Sequence, residues 1–308
     1  MKLTNERLTV ECFPEHGFVI GAIRPHSTQR NILWNPRGAS FEALPVGDLG
    51  EPGAASIESF DRGILAGGWF VMFPTAGLPG ESGNHWMHGE APRLLWEVIS
   101  ATDVAVVCRL TTPVSGFELV RSVMLTDATV EVTTTATNLS GEIRHVTFGE
   151  HPCFSREQFA GGTIRANPLR ARTTSTADPS NSNLVESTPF HWPSAPALGG
   201  NDFDLSEVPL RADGRHDHVG LEGIDECELR GEATSVFLKW DRLAMPNALI
   251  WQHFTPVGSP WGGDVFAVEP SSAPGRSLTD AQDSAAVTLV GAGESVSTWM
   301  TLRVETTS

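Results

Sequence analysis

Apolar and polar positions alternate with period two through most of the chain, and Gly, Pro, Asn and Asp interrupt them at roughly ten- to fifteen-residue intervals. Leu95–Leu110 predicts two short strands about the turn Ser100-Ala101-Thr102-Asp103. Phe117–Leu125 and Thr129–Thr137 predict a pair joined at Thr126-Asp127-Ala128, the second closing at Asn138-Leu139-Ser140-Gly141. Val and Thr at this density favour extended backbone over helix. Further strands are expected at Val146–Gly149, Ser235–Trp240, Leu249–Phe254, Val265–Val268, Ala286–Leu289 and Ser295–Val304. In IWQHF, Trp251 and His253 share parity and face one side of their strand, with Gln252 on the other. One short helix is expected within Leu278–Ala286. So many strands without interleaved helices predict an all-β fold of two large, mostly antiparallel sheets packed together. With no repeat and no break in composition, residues 1–308 are expected to form one domain.

Two segments depart from the alternation. Pro36–Ala91 is rich in Gly and Pro yet carries Trp69, Phe70, Phe73, Trp86 and two histidines, an aromatic load that loops avoid unless they cover something. Asn167–Arg215, rich in Ser, Pro, Asn and Asp, is expected to be a strand-poor surface excursion, either peripheral or contributing to a site.

Composition then narrows the partners. The chain has 37 acidic and 21 basic residues and a formal charge of -16, which repels nucleic acid and acidic membranes and favours a neutral small molecule as partner. The opening MKLTNERLTVECF has the features of neither a signal peptide nor a membrane span. Four cysteines stand far apart with no CxxC pair, and Cys12 and Cys108 sit in apolar strand contexts, so reduced cysteines and a cytoplasmic location are expected.

Three short segments could carry chemistry. In Gly83–Glu90 (GNHWMHGE), His85 and His88 lie between glycines that let the backbone turn sharply. These histidines suit hydrogen bonding to ligand hydroxyls, with Trp86 or Trp69 as a flat apolar face for a sugar ring. A metal site built from His85, His88 and Glu90 is the rival, but the pattern is not HExxH and lacks the HxH spacing of a strand. No metal is expected. In Phe148–Phe154 (FGEHPCF), Pro152 is expected to end a strand just after His151, leaving the imidazole at the strand edge. It could be structural, or a general acid with a pKa near neutrality. In Val265–Ser271 (VFAVEPS), Glu269 closes an apolar strand, which suits a general base but equally a side chain turning out to solvent. Arg62, Asp217 and the histidines beside Asp217 are further polar candidates. Cys153 stands beside His151, but nothing in the sequence marks it as an activated nucleophile, and no nucleotide-binding, nucleophile-elbow or catalytic-cysteine motif is present.

Together these segments resemble the aldose 1-epimerase (galactose mutarotase-like) family. NHWMHGE resembles its N-x-L-H-G stretch, with His88 at the substrate-binding histidine. EHPCF resembles its histidine-proline/serine-aromatic-phenylalanine stretch, with His151 at the catalytic acid, and FAVEP its strand ending in Glu-Pro, with Glu269 at the base. The resemblance implies a β-supersandwich, a cleft on one sheet, no cofactor, and anomer interconversion of an aldose by a protonated imidazole and an ionised carboxylate. A non-catalytic carbohydrate-binding protein on the same fold is the alternative. Arg62 matches the family's substrate arginine only loosely. Asp217 resembles the local pattern of its aspartate, with Asp202 and Asp241 also open. The aldose, and whether the protein is a monomer or a homodimer, are not implied.

Overall fold

The structure is a computed structural model that describes residues 1–36, 40–80, 84–174, 182–254, 264–275 and 277–306. Gly83 of the first motif and residues 175–181 of the predicted excursion lie outside these, as do 37–39 and 81–83 of the aromatic-rich segment.

Two large sheets face each other. The eight-stranded sheet runs Thr163–Ala166, Glu226–Arg230, Thr234–Trp240, Ser295–Thr306, Thr129–Asn138, Phe117–Thr126, Ala105–Thr111, Glu97–Ala101, each strand antiparallel to the next. Its strands show the predicted alternation: along Thr129–Asn138 every second side chain is buried and its neighbours half-exposed. The ten-stranded sheet begins with Lys2–Thr4, Leu8–Phe13 and Val19–Pro25 and ends with Arg170–Thr173 and Pro189–Phe190. Its middle consists of five strands, numbered in chain order: β1 (Trp69–Met72), β2 (Gly149–Ser155), β3 (His216–Glu222), β4 (Asn247–His253) and β5 (Val265–Ser271). In space they run β1-β2-β5-β4-β3, all antiparallel.

The main core fills the space between the sheets, where Phe117, Leu119, Val130, Leu238 and Leu302 meet Val71, Phe154, Ile250, Phe266 and Val268. β4 and β5 are buried along their whole length, on both faces. The second face belongs to a smaller cluster (Val19, Trp34, Phe60, Phe70, Met72, Cys153, Trp251, Val265, Ala267) on the side away from the eight-stranded sheet. An antiparallel sheet can leave one face to water; here that outer face is roofed by the chain before β1, where the short helix Ala54–Ser59 runs into a π-helical turn, Phe60–Ile64.

Several strand bounds differ from expectation. β2 does not end at Pro152: the strand continues to Ser155, pairing with β1 at Pro152 and with β5 from Cys153 onward. Glu269 likewise lies inside β5, not at its end. The helix is found, at Leu278–Asp283. Asn167–Arg215 contains only short strands among its described residues.

Candidate functional site

Parity along the five central strands decides what faces the outer side. β2 turns Glu150 inward and His151 and Cys153 outward, because Glu150 meets Arg121 of the opposite sheet while Cys153 joins the outer cluster. The register that aligns Gly149 with Ser271 and Cys153 with Ala267 places His151 opposite Glu269. Their side chains meet: His151 Nε2 lies 3.4 Å from Glu269 Oε1, both nearly fully buried. Phe70, the β1 partner of His151, stacks on its ring at 4.5 Å and 16° and fixes the ring plane. Trp251 of β4 stands edge-on at 6.1 Å on the other side.

His88 reaches the same place from the loop before Ala91. Its backbone is left-handed, with φ of 59°, and Gly89 follows at 80°. Gly89 is needed there, since a Cβ would come within 2.2 Å of the Phe73 carbonyl oxygen. A non-glycine residue held at positive φ costs of order 1 kcal/mol, and such outliers cluster at functional sites. The bent loop delivers the His88 ring to 5.1 Å from His151 and 4.8 Å from Phe60, with Nδ1 3.0 Å from Met72 Sδ. Beyond Trp251 the outer face continues into His218, stacked on that indole at 5.9 Å, then His216 and His253, 4.7 Å apart.

Burial sets the protonation. It pushes the His151 imidazole from its ordinary 6.5 down to about 3, so the ring is neutral near pH 7 and not the imidazolium expected from sequence. Burial, with Glu269 nearby, also pushes the Cys153 thiol well above its ordinary value, so it stays protonated. The thiol lies 3.3 Å from the second ring nitrogen, His151 Nδ1.

The other sequence candidates lie elsewhere. Trp69 has no exposed surface and faces inward, its Nε1 donating to Glu150 Oε2 at 2.7 Å, so it offers no face to a ligand. Trp86 is buried in the main core with Nε1 donating to the Gly50 carbonyl at 3.0 Å. Trp251 is the indole beside His151 on the outer face, on the side shared with His253 as its parity predicts, while Gln252 faces inward to Arg215 and the Leu205 carbonyl. Asp217 is turned inward between its outward neighbours His216 and His218, accepting from Ser182 Oγ and the Asn183 amide. Arg62 is exposed and pairs with Glu58, four residues earlier, at 3.1 Å. Among the described residues of that region the buried arginine is Arg93, which binds the Ser56 carbonyl and Ser59 Oγ under the Phe60 ring. His85 is half-buried, and its burial lowers its pKa. Glu90 accepts from the amides of Val114 and Ser115, so it is not directed at His88. Asp202 is exposed and holds Ser194, and Asp241 caps the turn at Leu243 and Ala244.

No protein-family model and no curated protein matches the sequence. Solved structures do. A candidate aldose 1-epimerase from Escherichia coli K12 superposes with a TM-score of 0.71 at 17% identity, over 99% of this chain and 98% of that one. The fold is that of the galactose mutarotase-like proteins. A galactose mutarotase-like protein from Lactobacillus casei gives 0.67 at 17% identity over 99% of each chain. Another from Clostridium acetobutylicum gives 0.61 at 16%, over 99% and 95%. Among the described residues, no helix is long and apolar enough to cross a membrane.

Proposed function

We propose that the protein is an aldose 1-epimerase-type isomerase, a single catalytic unit over residues 1–308 that interconverts the anomers of a neutral aldose without a cofactor. The observation that carries this reading is the 3.4 Å contact between His151 Nε2 and Glu269 Oε1 on the roofed outer face of the sheet. Distant parts of the chain deliver an acid and a base to one point, and mutarotation needs both at one hemiacetal.

Glu269 takes the proton of the anomeric hydroxyl. His151 donates a hydrogen bond from Nε2–H to the ring oxygen and passes that proton across as the C1–O5 bond breaks. A neutral imidazole suffices, because the departing ring oxygen is an alkoxide, basic enough to take a proton from imidazole N–H; neutral histidines serve as electrophiles elsewhere. The negative charge moves from carboxylate to imidazole while the aldehyde is open. Rotation about C1–C2 and closure on the other carbonyl face return both protons and yield the other anomer. Trp251 supplies the apolar face for the sugar ring, and His88 and His218 stand beside it as hydrogen-bond partners for hydroxyls.

The test follows the optical rotation of freshly dissolved α-anomers of galactose, glucose, xylose and arabinose with and without the protein. Faster equilibration of at least one sugar is expected. Equilibration of every sugar at the buffer rate, with saturable sugar binding, would instead make the protein a non-catalytic carbohydrate binder.

A further inference from the structure

We propose that the Cys153 thiol is a positioning residue that holds the proton of the neutral His151 ring on Nε2, the nitrogen facing Glu269. The inference rests on the reading of His151 as the acid, and it concerns a step that reading leaves open. A neutral imidazole carries one N–H, and which nitrogen has it is set by the hydrogen bond that the other makes. Only the ring protonated on Nε2 has anything to donate towards the reacting atoms.

Two contacts favour that form over the one in which a ring N–H turns back to the residue's own backbone carbonyl. Cys153 Sγ lies 3.3 Å from Nδ1 and 3.9 Å from the His151 carbonyl oxygen, so the single thiol hydrogen has its shorter path to Nδ1. Both residues sit on the outer face of β2, two positions apart, so strand geometry itself sets this spacing. Sulfur is a weak acceptor, so the reverse bond, Nδ1–H to Sγ, recovers little. It would also leave the Nε2 lone pair facing the carboxylate oxygen of Glu269 at 3.4 Å, which is repulsive for an ionised carboxylate. The thiol has no easily lost proton, since burial and Glu269 both oppose its ionisation. It is a fixed donor in place of a nucleophile, which accounts for a buried cysteine beside the acid that the chemistry otherwise leaves unused. Phe70, stacked on the ring, prevents the flip that would exchange the two nitrogens.

The experiment reads the tautomer directly, in the full chain and without sugar. Two-bond proton–nitrogen spectra of uniformly 15N-labelled protein at pH 7 distinguish protonated from bare ring nitrogens, and His151→Gln identifies the His151 signals by their loss. Wild type is expected to show a protonated Nε2 and a bare Nδ1. In Cys153→Ala the two shifts should move towards each other as the tautomers mix, and Cys153→Ser, which keeps an O–H donor, should restore them. Mutarotation in Cys153→Ala should lose about tenfold in kcat with KM within about twofold, and recover in the serine variant. A protonated Nδ1 in wild type overturns the inference, as do alanine-variant shifts that stay where wild type has them. Should the alanine variant fail to fold, the wild-type tautomer and the serine variant still decide. A protein with the expected tautomer that accelerates no sugar upholds this assignment and removes the catalytic reading instead.

Discussion

Glu150 and Glu269 are two buried carboxylates in central strands of one sheet, and they are held in opposite ways. Glu150 faces the eight-stranded sheet and is saturated: Arg121 binds it through both Nη atoms, at 2.5 and 2.8 Å, and Trp69 Nε1 donates at 2.7 Å. Arg121 also donates to Thr134, so one guanidinium and one carboxylate tie the sheets together directly beneath the outer site. Glu269 faces outward and meets a neutral imidazole at 3.4 Å, with the aromatic rings of Phe70 and Trp251 packed around that imidazole. A carboxylate locked by charge-assisted bonds has little freedom to take a proton, so Glu150 is not a candidate base. Glu150 secures the strand, and Glu269 faces the outer site beside His151.

The largest expected effect breaks the outer carboxylate. Glu269→Gln keeps size and burial but removes the base, and should lower kcat/KM for mutarotation by about 10³-fold, within the range of general base catalysis. A variant keeping more than a tenth of wild-type activity removes Glu269 from the mechanism. The inner carboxylate should behave in the reverse sense. Arg121→Met strands Glu150 without its cation and should cost about 3–5 kcal/mol in urea unfolding. Adding Glu150→Leu should recover most of that loss, because a buried ion pair is replaceable by apolar packing but not by half of itself. Equal losses in the single and double variants would show that the pair does more than balance its own charges.

The same contrast explains what could be read from the sequence. Phe117–Thr126, Thr129–Asn138 and Ser295–Thr306 were legible because one face is buried and the other is not, so the pattern repeats every two residues. β1 was not: Trp69–Met72 is buried on both sides and stands among Gly and Pro, so it looks like loop. His151 and Glu269 could be picked out because glycines or prolines frame them, yet both lie inside strands and not at their ends. Trp69 and Trp251 are alike as residue types, and only the register of the finished sheet sends one to the core and the other to the site. Asp217 fails for the same reason. Flanked by His216 and His218, it takes the opposite face from both, and period-two counting finds this only once the facing strand is known. Arg62 was misplaced because the helix and π-helical turn before β1 carry no apolar period long enough to reveal which side is wet.

The smallest effect sharpens the outer half of the comparison and reads the His151 ring alone. The folded protein keeps this imidazole neutral down to about pH 3, whereas the unfolded chain protonates it below about 6.5. Between those values the unfolded state binds a proton that the folded state refuses, so stability falls as pH is lowered through this window. Above pH 6.5 the group contributes no pH dependence. At pH 5 the loss amounts to about 2 kcal/mol relative to pH 7. Buried carboxyls titrate in the same range, Asp61 among them, raised to about 6 by burial, so the wild-type curve alone is ambiguous. The difference between wild type and His151→Gln cancels them. Urea midpoints at pH 7, 6 and 5 should show the glutamine variant gaining on wild type as the pH falls. A constant difference across the window would mean that His151 takes up its proton in the folded protein as readily as in the unfolded chain, near pH 6.5, and the imidazolium would then be available as the acid below that value, with no thiol needed to keep a proton on Nε2.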